Sequence, residues 1–294
     1  MRSSIVLIAN PTARRASEKK IERAADLFRS SGHTVDVFLT GKRGDAEKIA
    51  RKASGDGASL IVAAGGDGTI NEVVNGIAYT DTPLAILPMG TTNVLAKELG
   101  IPEDIEGAVS AATRGKAKTV SLGKILCGSP PSPVMRYFCL MAGIGFDGDA
   151  VYHFNASVKR HSGKVAYILA GLKTLLDYSP EPLIFSFDRE TCRGYSAIIG
   201  KASKYGGNFR ITPGANLLNP ELYIYVMQGK RRSDILRYVL GVLTGRHLGF
   251  RDVIYRKAVS VKVEGTAHIQ MDGDYLGKSP ATVTVAPDAL KLVY

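Results

Sequence analysis

The sequence predicts an α/β N-terminal domain with a doubly wound parallel sheet, followed by a C-terminal antiparallel β-sandwich domain. Three observations carry that expectation. Short apolar runs alternate with amphipathic helical stretches from Ile5 to Arg114. The runs end in turns rich in glycine and small polar residues, as parallel strands do where they meet a ligand. From about Thr119 the helical period gives way to many short strands punctuated by Gly, Pro and Asn. The change of texture sets a boundary near Leu122, giving domains 1–122 and 123–294.

The first domain reads in order. Ile5 to Ala9 is a buried strand stopped by Asn10-Pro11, and Ser17 caps a helix with Ile21, Ala24, Leu27 and Phe28 inward. Thr34 to Leu39 alternates like a strand, and Asp45 opens a helix through Ile49 and Ala53. Leu60 to Ala64 is the next strand, and Ile70, Val73, Val74 and Ile77 share one helical face. Leu84 to Leu87 is a strand, Thr91 to Leu99 a helix closed by Gly100, and Glu103 to Arg114 the last helix. In the second domain, strands are expected at 120–126, 136–141, 183–187, 195–199, 222–227, 259–263, 268–271 and 282–285, with helices at 164–176 and 234–243.

Composition narrows the function classes. The chain has 294 residues, 45% hydrophobic and 22% charged, which is ordinary for a globular protein with two cores. The net charge of +11 favours anionic partners: nucleic acid, nucleotide polyphosphate or an anionic membrane surface. The basic residues are scattered and no aromatic-basic RNA motif occurs, so nucleic acid is not expected. Three cysteines without CxxC spacing argue against a disulfide framework and for a reducing cytoplasm. No His pair has metal-ligand spacing. The N-terminal apolar run is too short for a secretory signal, and Val165 to Leu176 is too short to span a bilayer.

The chemistry concentrates after the third strand, in Gly65-Gly66-Asp67-Gly68-Thr69-Ile70-Asn71-Glu72. Glycines let backbone N–H groups approach phosphate oxygens, and the helix N-terminus adds roughly half a positive charge. Asp67 would repel a bare polyphosphate, which points to magnesium between carboxylate and phosphates. The plainer alternative is a tight turn capped by Asp67 and Thr69. Pro88-Met89-Gly90-Thr91-Thr92-Asn93 repeats the design one strand later. Asp272-Gly273-Asp274 reads either as a functional carboxylate turn or as an ordinary Asp-Gly hairpin.

Together these segments resemble the diacylglycerol kinase catalytic family, which includes sphingosine and ceramide kinases and is related to NAD kinases. Further matches are Asn10-Pro11, Thr40 before Gly44-Asp45-Ala46, Ala142 to Asp147, Gly163 to Tyr167, Gly206-Gly207-Asn208 and Asp272-Gly273-Asp274. The resemblance implies an ATP- and Mg2+-dependent lipid kinase with its active site in the interdomain cleft. It also implies a diacylglycerol-like acceptor, met at the inner membrane face by a cytoplasmic protein. It implies nucleotide binding by Asn10, Thr40, Gly66, Asp67, Gly68, Thr69, Ile70, Asn71, Glu72 and Thr91. Asp67 would serve the catalytic magnesium and Asp274 would be the catalytic base. No protein partner is implied, and a homodimer is left open.

Four positions depart from the family pattern. Asp274 stands where a D-G-E motif has Glu, about 1 Å shorter in reach, a misplacement that can cost on the order of 100-fold. Ser121 stands where an Asp is expected. Pro220 replaces the aspartate of a structural magnesium site, so that second metal is not expected, although Leu217 and Leu222 remain candidates for it. Thr12-Ala13-Arg14-Arg15 replaces the usual serine-glycine pair. These departures keep two alternatives in view: a weak or inactive nucleotide- and lipid-binding sensor, and a soluble-substrate kinase such as an NAD kinase.

Overall fold

The computed structural model describes residues 4–129, 131–157, 175 and 177–294. Its first part alternates as the periodicity requires: β1 (Ser4–Ala9), α1 (Glu18–Ser30), β2 (Thr34–Leu39), α2 (Asp45–Gly55), β3 (Leu60–Gly65), α3 (Asp67–Ile77), β4 (Leu84–Pro88), α4 (Val94–Leu99) and α5 (Ile105–Arg114). Ser17 caps α1 by accepting from the Lys20 amide, and Asp104 caps α5 by accepting from Gly107 at 2.7 Å. The four strands lie in the order β2-β1-β3-β4, all parallel. Fully buried Ile5, Leu7, Ile61, Phe28, Val73 and Leu84 fill the core beneath the helices.

The second part is antiparallel: β5 (Ala117–Cys127), β6 (Val134–Phe138), β7 (Met141–Ile144), α6 (Phe146–Ser157), β8 (Leu183–Phe187), β9 (Glu190–Gly194), β10 (Ser196–Gly200), β11 (Lys204–Tyr205), β12 (Phe209–Arg210), β13 (Leu222–Met227), α7 (Arg232–Leu243), β14 (Val253–Ala258), β15 (Ser260–Glu264), β16 (His268–Met271), β17 (Asp274–Lys278) and β18 (Ala281–Val293). One layer is the six-stranded sheet β14-β13-β10-β7-β16-β17. The other is continuous with the parallel sheet through β18, which pairs with β5, β15 and β4. Phe138, Phe185, Ile224, Val261 and Val283 form the core between them. The last strand therefore belongs to both cores: Val283 packs in the sandwich, while Leu290 and Leu292 pack in the first core.

Several local expectations are corrected. The strand expected over 136–141 breaks at Cys139-Leu140, where the backbone turns its amides toward a buried carboxylate. The helix expected from Thr91 starts at Val94, because Asn93 adopts a left-handed φ of 48° and folds its side chain back onto Gly90. α6, β9, β11, β12, β14 and β17 had no separate expectation; α6 carries two acids and Gly148 in its first turn, which blurs its apolar period. The expected helix over 164–176, with the basic cluster Lys159, Arg160, His161 and Lys164, lies outside the described residues apart from Leu175.

The turns after β3 and β4 touch backbone to backbone. Met89 N donates to Gly65 O at 2.9 Å, and a Cβ on Gly90 would stand 2.5 Å from Gly66 Cα. Gly90→Ala must push the two turns apart, at a cost of about 1–3 kcal/mol. Thermal unfolding should show a Tm lowered by several degrees; an unchanged Tm would mean the turns can separate freely.

Candidate active site

Strand β1 pairs with β2 on one side and β3 on the other, so the winding direction reverses there. Crevices at the carboxyl ends of such strands are where open α/β sheets take ligands. Asn10 closes β1 and ties the crevice together. Its amide donates to Ala64 O at 2.9 Å, its Nδ2 to Thr69 Oγ1 at 3.2 Å, and its Oδ1 accepts from Thr12 N at 3.0 Å. Thr40, at the end of β2, donates its amide to Ala9 O at 2.9 Å.

Helix α3 begins directly at the glycine turn. The amides of Asp67, Gly68 and Thr69 form its first turn, which has no intrahelical acceptor and carries the positive end of the helix dipole. The Asp67 carboxylate reaches across to the next loop. It accepts from Val94 N and Leu95 N, both at 3.1 Å, and from Thr92 Oγ1 at 3.3 Å. Asp67 thus caps α4, a helix other than its own. A carboxylate has about four acceptor positions, so three are used here and one remains to face a cation. Among the described residues no three His, Cys, Asp or Glu side chains gather as a metal site. A magnesium ion would be held here by Asp67 as its one protein carboxylate, which suits its habit of keeping few protein ligands.

The other residues of this segment act from beneath. Ile70 is a core side chain, with its amide bonded to Gly66 O at 3.1 Å. Glu72 accepts from Gly44 N at 2.9 Å and Ala46 N at 3.2 Å, fixing the loop that follows Thr40. Asn71 donates to Tyr137 O and to Asp272 Oδ2, each at 3.0 Å, which links the two halves of the molecule. Thr91 is exposed in the second loop.

The Asp272-Gly273 pair is a two-residue hairpin loop between β16 and β17, with φ of 49° and 91°. Both backbone angles are positive, as a type I′ turn demands. Yet this hairpin is also part of the cleft. Asp272 accepts from Cys139 N and Leu140 N at 2.9 Å and from Met141 N at 3.0 Å, besides Asn71. Burial outweighs these donors and pushes its carboxyl up to about 6. Beyond it, Asp274 holds its half-exposed carboxylate over the glycine turn that opens α3, where Oδ2 lies 3.6 Å from the position a Cβ on Gly68 would occupy. Arg43 Nη2 lies 3.5 Å from the same oxygen.

A supporting network lies below the hairpin. Gln270 Oε1 accepts from Gly273 N at 2.8 Å, and Gln270 Nε2 donates to Asp147 Oδ2 at 2.5 Å. Tyr205 donates to the other oxygen of Asp147, whose carboxyl is raised by burial. Glu98 of α4 accepts from Ser203 N, Ser203 Oγ and Lys204 N, which fixes β11 to α4. Asp147 sat in a legible glycine-rich motif without an assigned role. Gln270 and Glu98 had no sequence signal, because their partners are distant in the chain.

The loop 214–222 holds a residue that sequence reasoning missed. Lys201 is fully buried, and its ammonium donates to Asn216 O at 2.5 Å and Asn219 O at 2.8 Å. Burial pushes its amine down to about 8. The carbonyl of Leu217, a candidate for a structural magnesium, accepts from Ser121 N at 2.9 Å. Leu222 is a buried residue of β13.

The pH dependence of the hairpin follows from Asp272. Ionised, it can accept four donors; protonated, its hydroxyl hydrogen faces N–H groups. Activity should therefore fall as pH drops through about 6, and Asp272→Asn should lower kcat and remove that acid limb from the pH–rate profile. An unshifted limb in the Asn variant would assign it to another group, Asp149 being the candidate because burial raises its carboxyl to about 6 as well.

The chain is similar to known proteins over nearly its whole length. Residues 4–125 match the model of the diacylglycerol kinase catalytic domain, and residues 141–294 match the YegS C-terminal NAD kinase beta sandwich-like domain. A diacylglycerol kinase of Bacillus subtilis is 31% identical over 282 residues, covering 93% of this chain and 90% of that protein. One of Staphylococcus aureus RF122 is 29% identical, covering 96% and 89%. A solved diacylglycerol kinase structure from Bacillus anthracis superposes with a TM-score of 0.73 at 20% identity, covering 99% of this chain and 97% of that one. The yeast NADH kinase bound to NADH shares the fold more distantly, with a TM-score of 0.52 at 14% identity, covering 100% and 84%. With its glycine turns, its carboxylate hairpin and these relatives, the chain belongs to the diacylglycerol kinase catalytic family and is a phosphotransferase of the kinase class.

Proposed function

We propose that this kinase transfers the γ-phosphate of ATP, with Mg2+, to the hydroxyl of a lipid of the diacylglycerol type. The observation that supports it best is the approach of the Asp274 carboxylate to Gly68 across the mouth of the phosphate loop. The division into a nucleotide-binding unit, 1–122, and a lipid-binding unit, 123–294, is part of the same proposal.

In this reading Asn10, Thr40, Thr91 and the amides of Gly66 to Thr69 hold the nucleotide, while Ile70, Asn71 and Glu72 position that surface from below. Magnesium, when bound, neutralises the phosphate charge beside Asp67. Asp274 accepts the proton of the acceptor hydroxyl as its oxygen bonds to the γ-phosphorus and the bond to the β–γ bridging oxygen breaks. Arg43 stands beside Asp274; their pair is exposed and contributes little to stability. No helix among the described residues is long and apolar enough to cross a membrane; in this reading the acceptor is a lipid met at the membrane surface.

The test supplies radiolabelled ATP and magnesium with a panel of diacylglycerol, monoacylglycerol, a sphingoid base, phosphatidylglycerol and NAD. Labelled diacylglycerol product is expected. Asp274→Ala should lower kcat by roughly 10²–10⁴-fold while calorimetric ATP binding persists. Label in NAD alone would transfer the assignment to a soluble acceptor, and no labelled acceptor at all would leave a nucleotide-binding sensor.

A further inference from the structure

Helix α7 divides into two faces that do not suit a free surface helix. Ile235, Tyr238 and Gly241 are buried in the core. On the opposite side Leu236, Val239, Leu240 and Leu243 follow the i, i+3, i+4, i+7 spacing of one stripe, and all four are exposed, from 43% to 52%. Scattered exposed apolar residues need no explanation, but four aligned along one helix do. The adjoining strand β12 packs against α7 and adds exposed Phe209.

The charges around the stripe decide what can cover it. Lys230, Arg231 and Arg232 stand at its start and Arg246 just beyond its end, all exposed. Among the described residues none of these four is in an ion pair. Arg237 and Asp234, by contrast, are engaged at 3.6 Å with each other, and Arg237 with Asp252 at 2.5 Å. An apolar stripe bracketed by unpaired cations matches an anionic lipid surface, where acyl chains take the leucines and headgroups take the guanidinium groups. A second copy of this chain would bring the same cations to the same place, against a net charge of +11 on each.

We propose that the outer face of α7 docks the protein on an anionic lipid bilayer, with Leu236, Val239, Leu240 and Leu243 inserted and Lys230, Arg231, Arg232 and Arg246 on the headgroups. The choice of a bilayer rests on the lipid-kinase reading. The docking face is separate from the phosphate loops and the Asp272 hairpin. It lies beside the β11–β12 ribbon, which α4 and Tyr205 tie to the cleft.

The test uses the full chain and co-sedimentation with vesicles of phosphatidylcholine alone or with added phosphatidylglycerol, at low and high salt. Binding should require phosphatidylglycerol and weaken as salt rises. Leu236→Gln with Leu240→Gln should weaken partitioning at least tenfold on anionic vesicles. Arg232→Glu with Arg246→Glu should abolish the preference for phosphatidylglycerol. These positions are exposed, so folding can be verified by an unchanged Tm. Activity on diacylglycerol in neutral detergent micelles should be the same in parent and variants. Parent-like pelleting of the leucine variant overturns the proposal, as does a parent that ignores phosphatidylglycerol. So does a leucine variant that turns a dimer into a monomer while still pelleting, which would make the face a contact between copies. Failure of the parent to phosphorylate micellar lipid would sink the lipid-kinase reading instead, and leave the vesicle result standing.

Discussion

The buried carboxylate of Asp272 is the constraint on which the rest of the site depends. It gathers three consecutive amides, Cys139, Leu140 and Met141, and the side chain of Asn71 around one negative charge. A charge taken out of water needs such compensation, and leaving any one donor unpaired would cost roughly 1–3 kcal/mol. The arrangement therefore fixes three things together: where β6 stops and β7 begins, how α3 meets the second half of the molecule, and where the following hairpin points. Asp274 hangs from that hairpin and reaches the glycine turn at Gly68 because Asp272 holds its base.

A parallel device joins the two glycine turns after β3 and β4. Asp67 opens α3 but serves the amides of Val94 and Leu95 at the start of α4, while Gly66 and Gly90 approach so closely that neither tolerates a side chain comfortably. The alternatives of phosphate-site carboxylate and capping residue are thus not exclusive. The carboxylate caps a helix, and in doing so keeps two amide-rich turns at a fixed separation beside its remaining acceptor position. Glu72 does the same for the loop before α2. Three acidic side chains hold backbone in place around a cleft whose proposed ligand is itself anionic.

The departures from the family pattern take on physical content in the same way. Ser121 donates its amide to Leu217 O, and the loop that Leu217 belongs to is pinned by the ammonium of Lys201 on Asn216 O and Asn219 O. A cation serves these carbonyls, supplied by the chain itself. Asp274, one methylene shorter than a glutamate, still comes within reach of Gly68, since the hairpin is short and its base is buried.

The order of strands and helices in the first half, the glycine turns at strand ends and the hairpin at Asp272-Gly273 were legible from residue order, because periodicity, capping and turn chemistry are local. So was the family, since its motifs are contiguous. The tertiary structure alone decided which acid serves which amide: Asp67 with Val94, Glu72 with Gly44, Asp272 with Cys139, Glu98 with Ser203, Gln270 with Asp147. It also decided that β18 closes both cores and that the leucine stripe of α7 faces outward. The side-chain contacts among them join residues from 27 to 133 positions apart along the chain, where no local propensity acts and only the burial of charge and apolar surface selects among partners.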